Sequence, residues 1–565
     1  MPANADPFGE DSMIGFVTGT LNDANAFFGG RYTVVCKSPV TGGFNDANSG
    51  GDFGSQLRSS GYDAVFVNGI SEKPVYLYIE NGKAEIKDAE NLWGLTTVAA
   101  ETKLKEIHGK KTGAALIAPA GERMALTACV MNDEHRAAGR GGCGAVMGSK
   151  KLKAIAVNGN AHLSVADKPA LVAINKEIAA ILNPDNPFAA GMGKYGTGEG
   201  YTGAVVSADA GIKNWARSCV DLPEKECDPV SSQGLEKYNT GKYHCNSCPL
   251  GCGAMMDLPT EDGSVIHTSR PEYETMGSFG SMCLNGNGES VIRCNYVCNE
   301  YGLDTISAGD TIAWVMECFD KGILTKSELD GVDAACGNYE TIETLLDKMA
   351  KGEGVGKILQ NGSVFAADHF GKGQECLVTA NGIEIPMHDS RLSYGLSRTY
   401  KYDPTPGRHV KGGIGMGVGG PDFSYENTGE ADLTGVIGTE TSNASGLCMF
   451  GGIVIGQYLP AMLSAVTGWD ISKEEFDNMG IRSYTMRHAF NLKKGWDRNS
   501  YKLSERMEKA NPPFDGPIAG ITVDTEKLAD NFFATLGWDL NTLMPSKEKL
   551  EKLGLENVAE ELYKR

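Results

Sequence analysis

Three cysteines crowd into one short segment of the chain. The run His-Cys-Asn-Ser-Cys-Pro-Leu-Gly-Cys at residues 244–252 places Cys245, Cys248 and Cys252 at C-x2-C-x3-C spacing. Three thiolates this close can surround one small metal centre, and both a tetrahedral zinc and a cubane [4Fe–4S] cluster need a fourth ligand. The segment contains no fourth cysteine, so that ligand must come from far away in sequence, and Cys448 is the best candidate. The sequence therefore predicts that two distant segments meet at a metal centre.

The cysteine count favours metal binding over disulfide bonds. Fifteen cysteines in 565 residues are too sparse for a disulfide scaffold, and their number is odd. We therefore expect reduced thiols in a reducing compartment. Cys129, Cys283, Cys294 and Cys318 lie in apolar or helical surroundings and are expected to be core residues.

The charge balance excludes several classes of partner. The chain has 52 Lys and Arg against 72 Asp and Glu, a net charge of −20, and no block of basic residues. This composition argues against nucleic acid or an anionic membrane surface as a partner. We expect no apolar run of the ~18 residues that span a membrane, and the first residues lack the order of a signal peptide. The sequence predicts a soluble cytoplasmic protein without membrane insertion.

The elements that must position the cysteines change character along the chain. Strands dominate up to about residue 165, with a strand at 62–69, a hairpin around Asn81-Gly82 and a strand at 152–157. Beyond that point, apolar residues recur at three- and four-residue intervals and predict helices at 168–182, 289–301, 307–321, 340–351, 474–494 and 547–564. The predicted fold class is α+β, with a β-rich N-terminal domain (1–165) followed by two mainly α-helical domains (166–378 and 379–565).

Glycine-rich segments connect the predicted strands. They span residues 28–32, 47–52 and 135–142 and carry Arg31, Arg136 and Arg140, and a further one spans 406–420. Exposed backbone N–H groups and arginine side chains bind phosphate and other anions. Three such segments with arginines indicate a large anionic cofactor.

A short pattern occurs twice in the helical regions. Residues 299–304 and 443–448 share the form N-x-x-G-L-(D/C). Two copies of one loop in two domains suggest a pseudosymmetric grip on a ligand with two similar halves.

Together these segments resemble the tungsten-dependent aldehyde:ferredoxin oxidoreductases over essentially the whole chain. The resemblance rests on residues 29–42, 47–51, 131–142, 145–150, the cysteine segment, 270–275, 301–307 and 446–448. It implies three domains with the cofactor between them, two pterins lying on the β-rich base domain and two helical domains closing the sides. It also implies an enzyme that oxidises aldehydes to carboxylic acids and passes electrons to ferredoxin.

The resemblance implies three inorganic groups. These are a tungsten held by two pterins (molybdenum is the alternative metal), a [4Fe–4S] cluster on Cys245, Cys248, Cys252 and Cys448, and a magnesium between the pterin phosphates. The magnesium is expected near Asn48 and the carbonyl of Ala137, because this cation prefers oxygen ligands. By motif position, the pterin and phosphate contacts would be Arg31, Asn48, Gly50, Arg136, Ala137, Gly139, Arg140, Asn299, Asp304, Lys411 and Asn443.

Two residues match the family's substrate-side positions, Glu274 and His409. Aldehyde oxidation needs a base that takes a proton from water and a donor that polarises the carbonyl. The simpler interpretations are a helix-start carboxylate and a loop histidine bonded to backbone. His388 and Glu272 are the substitutes if Glu274 is not the base. Other substrates with the same cofactors, a sugar-phosphate aldehyde or an aromatic thioester, stay open, and so does a non-catalytic metal-binding structural protein.

Three features depart from the family pattern. Asn299 and Asn443 stand where aspartate is usual, which replaces a charge by an amide. Arg293 and Glu343 stand where some members hold a metal between subunits, so a homodimer, if one forms, would lack an interface metal. The chain also begins inside what resembles the first domain, and the absent first strands would leave an open sheet edge.

Overall fold

The computed structural model describes residues 1–161, 163–222, 224–413, 419–420, 422–509 and 515–564. Part of the predicted glycine-rich segment at 406–420 therefore lies outside the described residues. The order of elements confirms the predicted class, with a β-rich N-terminal region followed by helical regions.

Two sheets build the N-terminal region. Its strands are β1 (Ile14–Thr18), β2 (Tyr32–Lys37), β3 (Phe44–Ser49), β4 (Ala64–Val67), β5 (Val75–Glu80), β6 (Lys83–Asp88), β7 (Gly113–Leu116), β8 (Val130–Asn132), β9 (Arg136–Ala138) and β10 (Leu152–Asn158). Its helices are α1 (Phe53–Ser59), α2 (Thr97–His108), α3 (Pro119–Glu122) and α4 (Cys143–Ser149). The four-stranded antiparallel sheet has the order β3-β2-β1-β4, so β3 and β4 form its edges. The other sheet has the order β6-β5-β10-β7-β8-β9, with β5 and β10 parallel.

Strand β10 shows why the six-stranded sheet is apolar on both faces. Its residues Ile155 and Val157 join one buried cluster, whereas Ala154 and Ala156 join another on the opposite face. The strand predictions near residues 64 and 152 are confirmed. The predicted hairpin is also confirmed, and positive φ angles at Asn81 (48°) and Gly82 (79°) form its two-residue turn.

Helices make up most of the middle region. They are α5 (Lys168–Ile181), α6 (Pro187–Tyr195), α7 (Tyr201–Ser207), α8 (Glu224–Cys227), α9 (Tyr273–Phe279), α10 (Gly288–Tyr301), α11 (Thr305–Asp320), α12 (Tyr339–Lys351), α13 (Gly356–Leu359) and α14 (Ser363–Phe370). Asparagine or aspartate side chains cap α5, α10, α11 and α12, which fixes where those helices begin. An antiparallel sheet of β11 (Asn239–Tyr243), β12 (Gly253–Pro259) and β13 (Val265–Ser269) was not predicted, because short strands leave little periodicity to detect.

The C-terminal region is helical after one short hairpin. Its elements are β14 (Thr379–Ala380), β15 (Ile383–Glu384), α15 (Tyr394–Tyr402), α16 (Thr428–Ser445), α17 (Met449–Ile455), α18 (Leu459–Thr467), α19 (Lys473–Lys493), α20 (Thr525–Leu536), α21 (Lys547–Lys552) and α22 (Glu556–Tyr563). The prediction of one helix over 547–564 was wrong. The chain turns at Gly554, whose φ of 67° is left-handed, and two helices form instead.

One apolar stretch corrects the expectation about membrane-length segments. Residues 449–467, which include α17 and α18, are by length and composition able to cross a membrane, and 39% of an 18-residue window within them is buried. Their buried side joins a core cluster with Phe28 and Leu171, so they pack against the N-terminal region and α5. Core helices of soluble proteins meet the same length and composition test.

Candidate active site

A cavity of about 340 Å³ lies where the four-stranded sheet, the cysteine segment and both helical regions meet. Its wall contains every residue that the sequence analysis assigned to a site. These are Arg31, Asn48, Gly50, Arg136, Ala137, Gly139, Arg140, Cys245, Cys248, Cys252, Glu274, Asn299, Asp304, His409, Lys411, Asn443 and Cys448. The tertiary structure thus assembles residues from both ends of the chain around one volume.

The cysteine segment connects β11 to β12 and turns tightly. Left-handed backbone at Ser247 (φ 53°) and Gly251 (φ 63°) produces the turn. Phe28 links this segment to Cys448. Its N–H donates to the carbonyl of Ser247 at 3.0 Å, and its own carbonyl accepts from the N–H of Cys448 at 2.9 Å. One residue of the N-terminal region therefore holds the distant cysteine beside the other three.

The spacing of the sulfur atoms distinguishes the two metal centres considered. Among the described residues, the group of three metal-type ligands within 4.8 Å of one another is Glu274, His388 and His409, so no three cysteine sulfurs are that close. Four sulfurs around a tetrahedral zinc, each about 2.3 Å from the metal, would lie about 3.8 Å apart. A cubane cluster is several ångströms across and takes four cysteine ligands. The four-cysteine donor set fits the cluster, and among the described residues no three of these sulfurs are as close as a tetrahedral zinc requires.

The surroundings of the cysteines favour a cationic group between them. Burial, with the nearby Glu272, raises the pKa of the Cys252 thiol to about 12 against the opposing charge of Arg136. Burial disfavours the charged form of Arg31, but three of the four cysteines lie around it and raise its pKa overall. Holding four thiolates here requires positive charge, which a metal cluster supplies together with these two arginines.

Two small features shape the cysteine segment. A Cβ atom on Gly50 would lie 2.9 Å from the sulfur of Cys245, closer than real Cβ atoms approach, so a larger residue here would displace that sulfur. The Nδ1 atom of His244 lies 3.2 Å from the carbonyl oxygen of Cys248. That ring nitrogen is engaged with backbone.

The two copies of the N-x-x-G-L pattern fold alike. Gly302 (φ 74°) ends α10 and Gly446 (φ 80°) ends α16, both in the left-handed conformation that favours glycine. In each loop, the N–H of the following leucine donates to the carbonyl five residues earlier at 2.9 Å.

Both loops also dock on the N-terminal region in the same way. The carbonyls of the two loop glycines accept from the N–H groups of Cys129 (2.8 Å) and Arg31 (3.0 Å). Two residues after each glycine, the N–H groups of Asp304 and Cys448 donate back to carbonyls of the same N-terminal segments at 2.8 and 2.9 Å. These matching backbone hydrogen bonds place the two loops in equivalent positions, as binding of a ligand with two similar halves requires.

Two arginines present unpaired donors to the cavity. Arg136 donates from Nη1 to Glu272 at 3.1 Å, while its Nε and Nη2 are buried without a partner among the described residues. Arg408 donates from Nη2 to Asn45 at 2.9 Å, and its Nε is likewise buried without a partner among the described residues. Buried N–H groups without acceptors are destabilising. Their presence here fits an anionic ligand such as a pterin phosphate.

Arg140 has a different environment from the other arginines. Its Nε lies 3.3 Å from Asp304, its Nη1 donates to the carbonyl of Gly407 at 2.6 Å, and its Nη2 donates to the carbonyl of Glu384. All three nitrogens are bonded within the protein. Arg140 thus ties the N-terminal region to both helical regions.

Other predicted contact residues are also bonded within the protein. Lys411 pairs with Asp46, and Asn48 accepts from Arg31 at 3.0 Å. Asp304 caps α11 by accepting from the N–H of Ser307 at 3.1 Å. These residues shape the wall, and their contact with a cofactor stays a prediction.

Arg293 and Glu343, the two positions at which no interface metal is expected, lie in contact with each other. Arg293 Nη1 lies 3.6 Å from Glu343 Oε1. Each side chain is about 30% exposed, at 28% and 30%.

Glu274 and His409 meet at the cavity wall. Glu274 lies in the first turn of α9, and its Oε2 accepts from the N–H of Met387 at 2.8 Å. Its Oε1 is buried without a hydrogen-bond partner among the described residues and lies 3.5 Å from His409 Nε2. Burial raises the pKa of the Glu274 carboxyl, whereas burial and then the neighbouring cations lower the pKa of His409 well below its ordinary value. The pair combines a carboxylate of raised proton affinity with a neutral imidazole.

Sequence reasoning missed or ranked low three residues near Glu274. The Nε2 of His388 lies 3.7 Å from Glu274 Oε1, and its Nδ1 lies 2.7 Å from Asp209. The sequence analysis named His388 only as a substitute, and nothing in the sequence pointed to Asp209. Arg408 was also missed, although it directly precedes His409.

Comparisons with known proteins identify the family of this chain. The family model described as "Aldehyde ferredoxin oxidoreductase, N-terminal domain" matches residues 1–159, and the model described as "Aldehyde ferredoxin oxidoreductase, domains 2 & 3" matches residues 173–555. The tungsten-containing aldehyde ferredoxin oxidoreductases of Pyrococcus furiosus and Thermococcus kodakarensis are each 35% identical over 98% of this chain and 92% of their own.

More distant relatives have other descriptions. An aliphatic sulfonate oxidoreductase, WOR-like subunit, of Pyrococcus furiosus is 26% identical over 99% of this chain and 90% of its own. The active site complex BamBC of benzoyl coenzyme A reductase shares the fold, with a TM-score of 0.83 and 24% identity over 100% of this chain and 92% of that chain. Because two family models and full-length relatives agree, the chain belongs to the aldehyde ferredoxin oxidoreductase family and is an oxidoreductase.

Proposed function

We propose that the protein oxidises aldehydes to carboxylic acids at a tungsten centre held by two pterins, and passes the electrons through a [4Fe–4S] cluster to ferredoxin. One observation carries the proposal. A single cavity joins the four cysteines, the unpaired donors of Arg136 and Arg408, and the pair Glu274 and His409. The names of the relatives support the tungsten and the aldehyde substrate.

The residues that would hold the cofactors are separated around the wall. Cys245, Cys248, Cys252 and Cys448 would bind the cluster. Arg136 and Arg408 would donate to the pterin phosphates, with the two glycine-leucine loops on either side. A magnesium would lie near Asn48 in β3 and Ala137 in β9, strands that contact each other. When bound, the tungsten and its pterins supply an acceptor for two electrons.

The remaining chemistry belongs to the protein. Aldehyde plus water yields acid, two electrons and two protons, so a base must accept a proton from the attacking water. Glu274 Oε1 is free to do so, since only its other oxygen is held by the Met387 N–H. His409 is neutral over the working pH range and can donate an N–H to the carbonyl oxygen.

Anaerobic purification with elemental and pterin analysis tests this proposal, together with an aldehyde panel read by reduction of a viologen dye. We expect one tungsten, two pterins and about four irons per chain, and dye reduction with simple aldehydes. The panel should include a sugar-phosphate aldehyde and an aromatic thioester. A chain that carries zinc, or that acts on the thioester and not on aldehydes, would overturn the proposal.

A further inference from the structure

The carboxylate of Glu274 has one fixed and one free oxygen. Oε2 accepts from the Met387 N–H at 2.8 Å, which fixes the plane of the carboxyl group. Oε1 is buried and lies between two imidazole nitrogens, 3.5 Å from His409 Nε2 and 3.7 Å from His388 Nε2. These distances exceed a hydrogen bond, but a shift of about 0.7 Å or one water would connect them.

His388 is bonded on its far side to a second carboxylate. Its Nδ1 lies 2.7 Å from Asp209 Oδ2, whereas its Nε2 is directed to Glu274. The backbone reinforces this pairing, since the N–H of Asp389 donates to the carbonyl of Asp209 at 2.7 Å. A histidine bonded to a carboxylate at one nitrogen and facing a titrating group with the other can pass a proton between them.

Packing holds the His388 ring in this orientation. The ring stacks on Tyr273 with centroids 4.8 Å apart and planes 18° from parallel. The hydroxyl of Tyr273 donates to the carbonyl of Met387 at 2.7 Å, and the hydroxyl of Tyr400 donates to the carbonyl of His388 at 2.9 Å. Two tyrosines therefore fix the segment that carries both the Glu274 contact and the imidazole.

Both His388 and Asp209 are more exposed than Glu274. Its side chain is 15% exposed, against 30% for His388 and 19% for Asp209. Asp209 follows the C-terminal end of α7, where Val206 and Ser207 are exposed. The pair is therefore more accessible to solvent than Glu274, and Asp209 follows the exposed end of α7.

We propose that Asp209 and His388 form a positioning pair for Glu274. The pair takes the proton that Glu274 receives at the cavity and carries it to the surface. This role rests on the proposed aldehyde oxidation. Glu274 and His409 face the substrate, and the pair acts through Glu274 without touching the reacting atoms.

The proposed step balances as a simple proton transfer. Glu274 gains a proton from the attacking water, and that proton moves from Oε1 to Nε2 of neutral His388. The ring then carries a positive charge and releases the proton on Nδ1 to Asp209 and to solvent. Glu274 is again an anion, and no electrons move in this step.

The charges around the pair favour this exchange. Burial opposes the charged form of His388, but its bond to Asp209 and the charge of Glu274 outweigh burial and raise its pKa. Burial raises the pKa of Glu274, which brings the two groups closer in proton affinity. The other titratable or charged groups that face this cluster are His409, Arg140, Arg408, Asp304, Asp310, Tyr273 and Tyr400.

Titration of histidines in the oxidised holoenzyme tests the pair without any substrate. The chain has nine histidines, so ¹³Cε1-labelled spectra resolve them, and His388→Gln identifies the signal. We expect His388 to titrate above about 6.5 and to shift to lower pH in Asp209→Asn and in Glu274→Gln. The exposed pair His267 and Asp257 has the same 2.7 Å bond, so Asp257→Asn is the matched control and should leave the His388 signal unchanged.

Steady-state kinetics then test whether protons are transferred through His388 and Asp209. In weak buffer, Asp209→Asn and His388→Ala should lower kcat about tenfold, less than loss of the base itself, with unchanged tungsten and iron. Added imidazole should restore His388→Ala, because a small base can replace the missing ring. Because only neutral His388 can accept the proton and its pKa is raised, the acid limb of the wild-type kcat profile should follow His388, and it should move to lower pH in His388→Gln.

Three results would overturn the proposal. The first is a His388 titration midpoint that does not change in Glu274→Gln. The second is a loss of kcat that imidazole does not restore and that leaves the pH profile unmoved, as a purely structural role predicts. The third is an extra zinc or iron lost from His388→Gln, which would make Glu274, His388 and His409 a metal site. A loaded enzyme that oxidises no aldehyde would instead refute the proposed function, and the titration would still decide the pair.

Discussion

Replacing Glu274 by glutamine tests the assigned base with little structural change. The glutamine carbonyl can keep the bond from the Met387 N–H, observed at 2.8 Å, and place its amide where the free oxygen now lies. The amide has no useful proton affinity, so the variant loses positioned proton transfer. That step contributes about 10²–10⁴-fold in rate, which corresponds to about 3–5 kcal/mol in the activation barrier.

The same change should not destabilise the protein. Burial raises the pKa of Glu274 above its ordinary value of 4.5, so its charged form is less stable in the folded state. Stability is therefore lost as pH rises from that ordinary value through the raised one. Glutamine carries no charge, so Glu274→Gln should unfold at the same temperature or a higher one near pH 7.

The assay compares viologen reduction, metal content and thermal unfolding in wild type and variant. Glu340, an exposed residue in the first turn of α12, is the matched control for a carboxylate that acts only at a helix start. Glu340→Gln should change stability by about 0.3–1 kcal/mol and leave kcat unaltered. Near-normal kcat in a fully loaded Glu274→Gln enzyme would refute the reasoning and move the role to Glu272 or His388.

Three further predictions concern cofactor retention. Cys448→Ser should lower iron from about four per chain and abolish electron transfer, whereas Cys336→Ser should retain full iron. Gly50→Ala should lower iron because its Cβ would lie 2.9 Å from a cysteine sulfur, whereas Gly241→Ala in β11 meets no atom within 4 Å and serves as the control. Arg136→Ala removes charged hydrogen bonds of about 1.5–3 kcal/mol each, so tungsten and pterin should dissociate together about 10–100-fold more readily, as elemental and pterin analysis would show. Full metal content in these variants would contradict the assignments.

Local patterns in the sequence determined much of this protein. The hairpin at Asn81-Gly82 follows from a turn that needs positive φ angles, and helices α10 and α12 follow from apolar spacing and side-chain caps. The tight cysteine spacing indicated a metal centre, and the repeated glycine-leucine pattern indicated two similar loops. Each of these signals lies within a few residues, where steric and hydrogen-bonding preferences act directly.

The tertiary structure alone decided which of the predicted residues have free bonding groups. Arg136 and Arg140 are equivalent as sequence signals, yet Arg140 is bonded at all three nitrogens while Arg136 keeps two unpaired. Asp209 carries no local pattern, because its proposed role arises from contact with a histidine 179 positions later. Such pairings depend on how separate helices and strands pack, so short-range sequence patterns do not encode them.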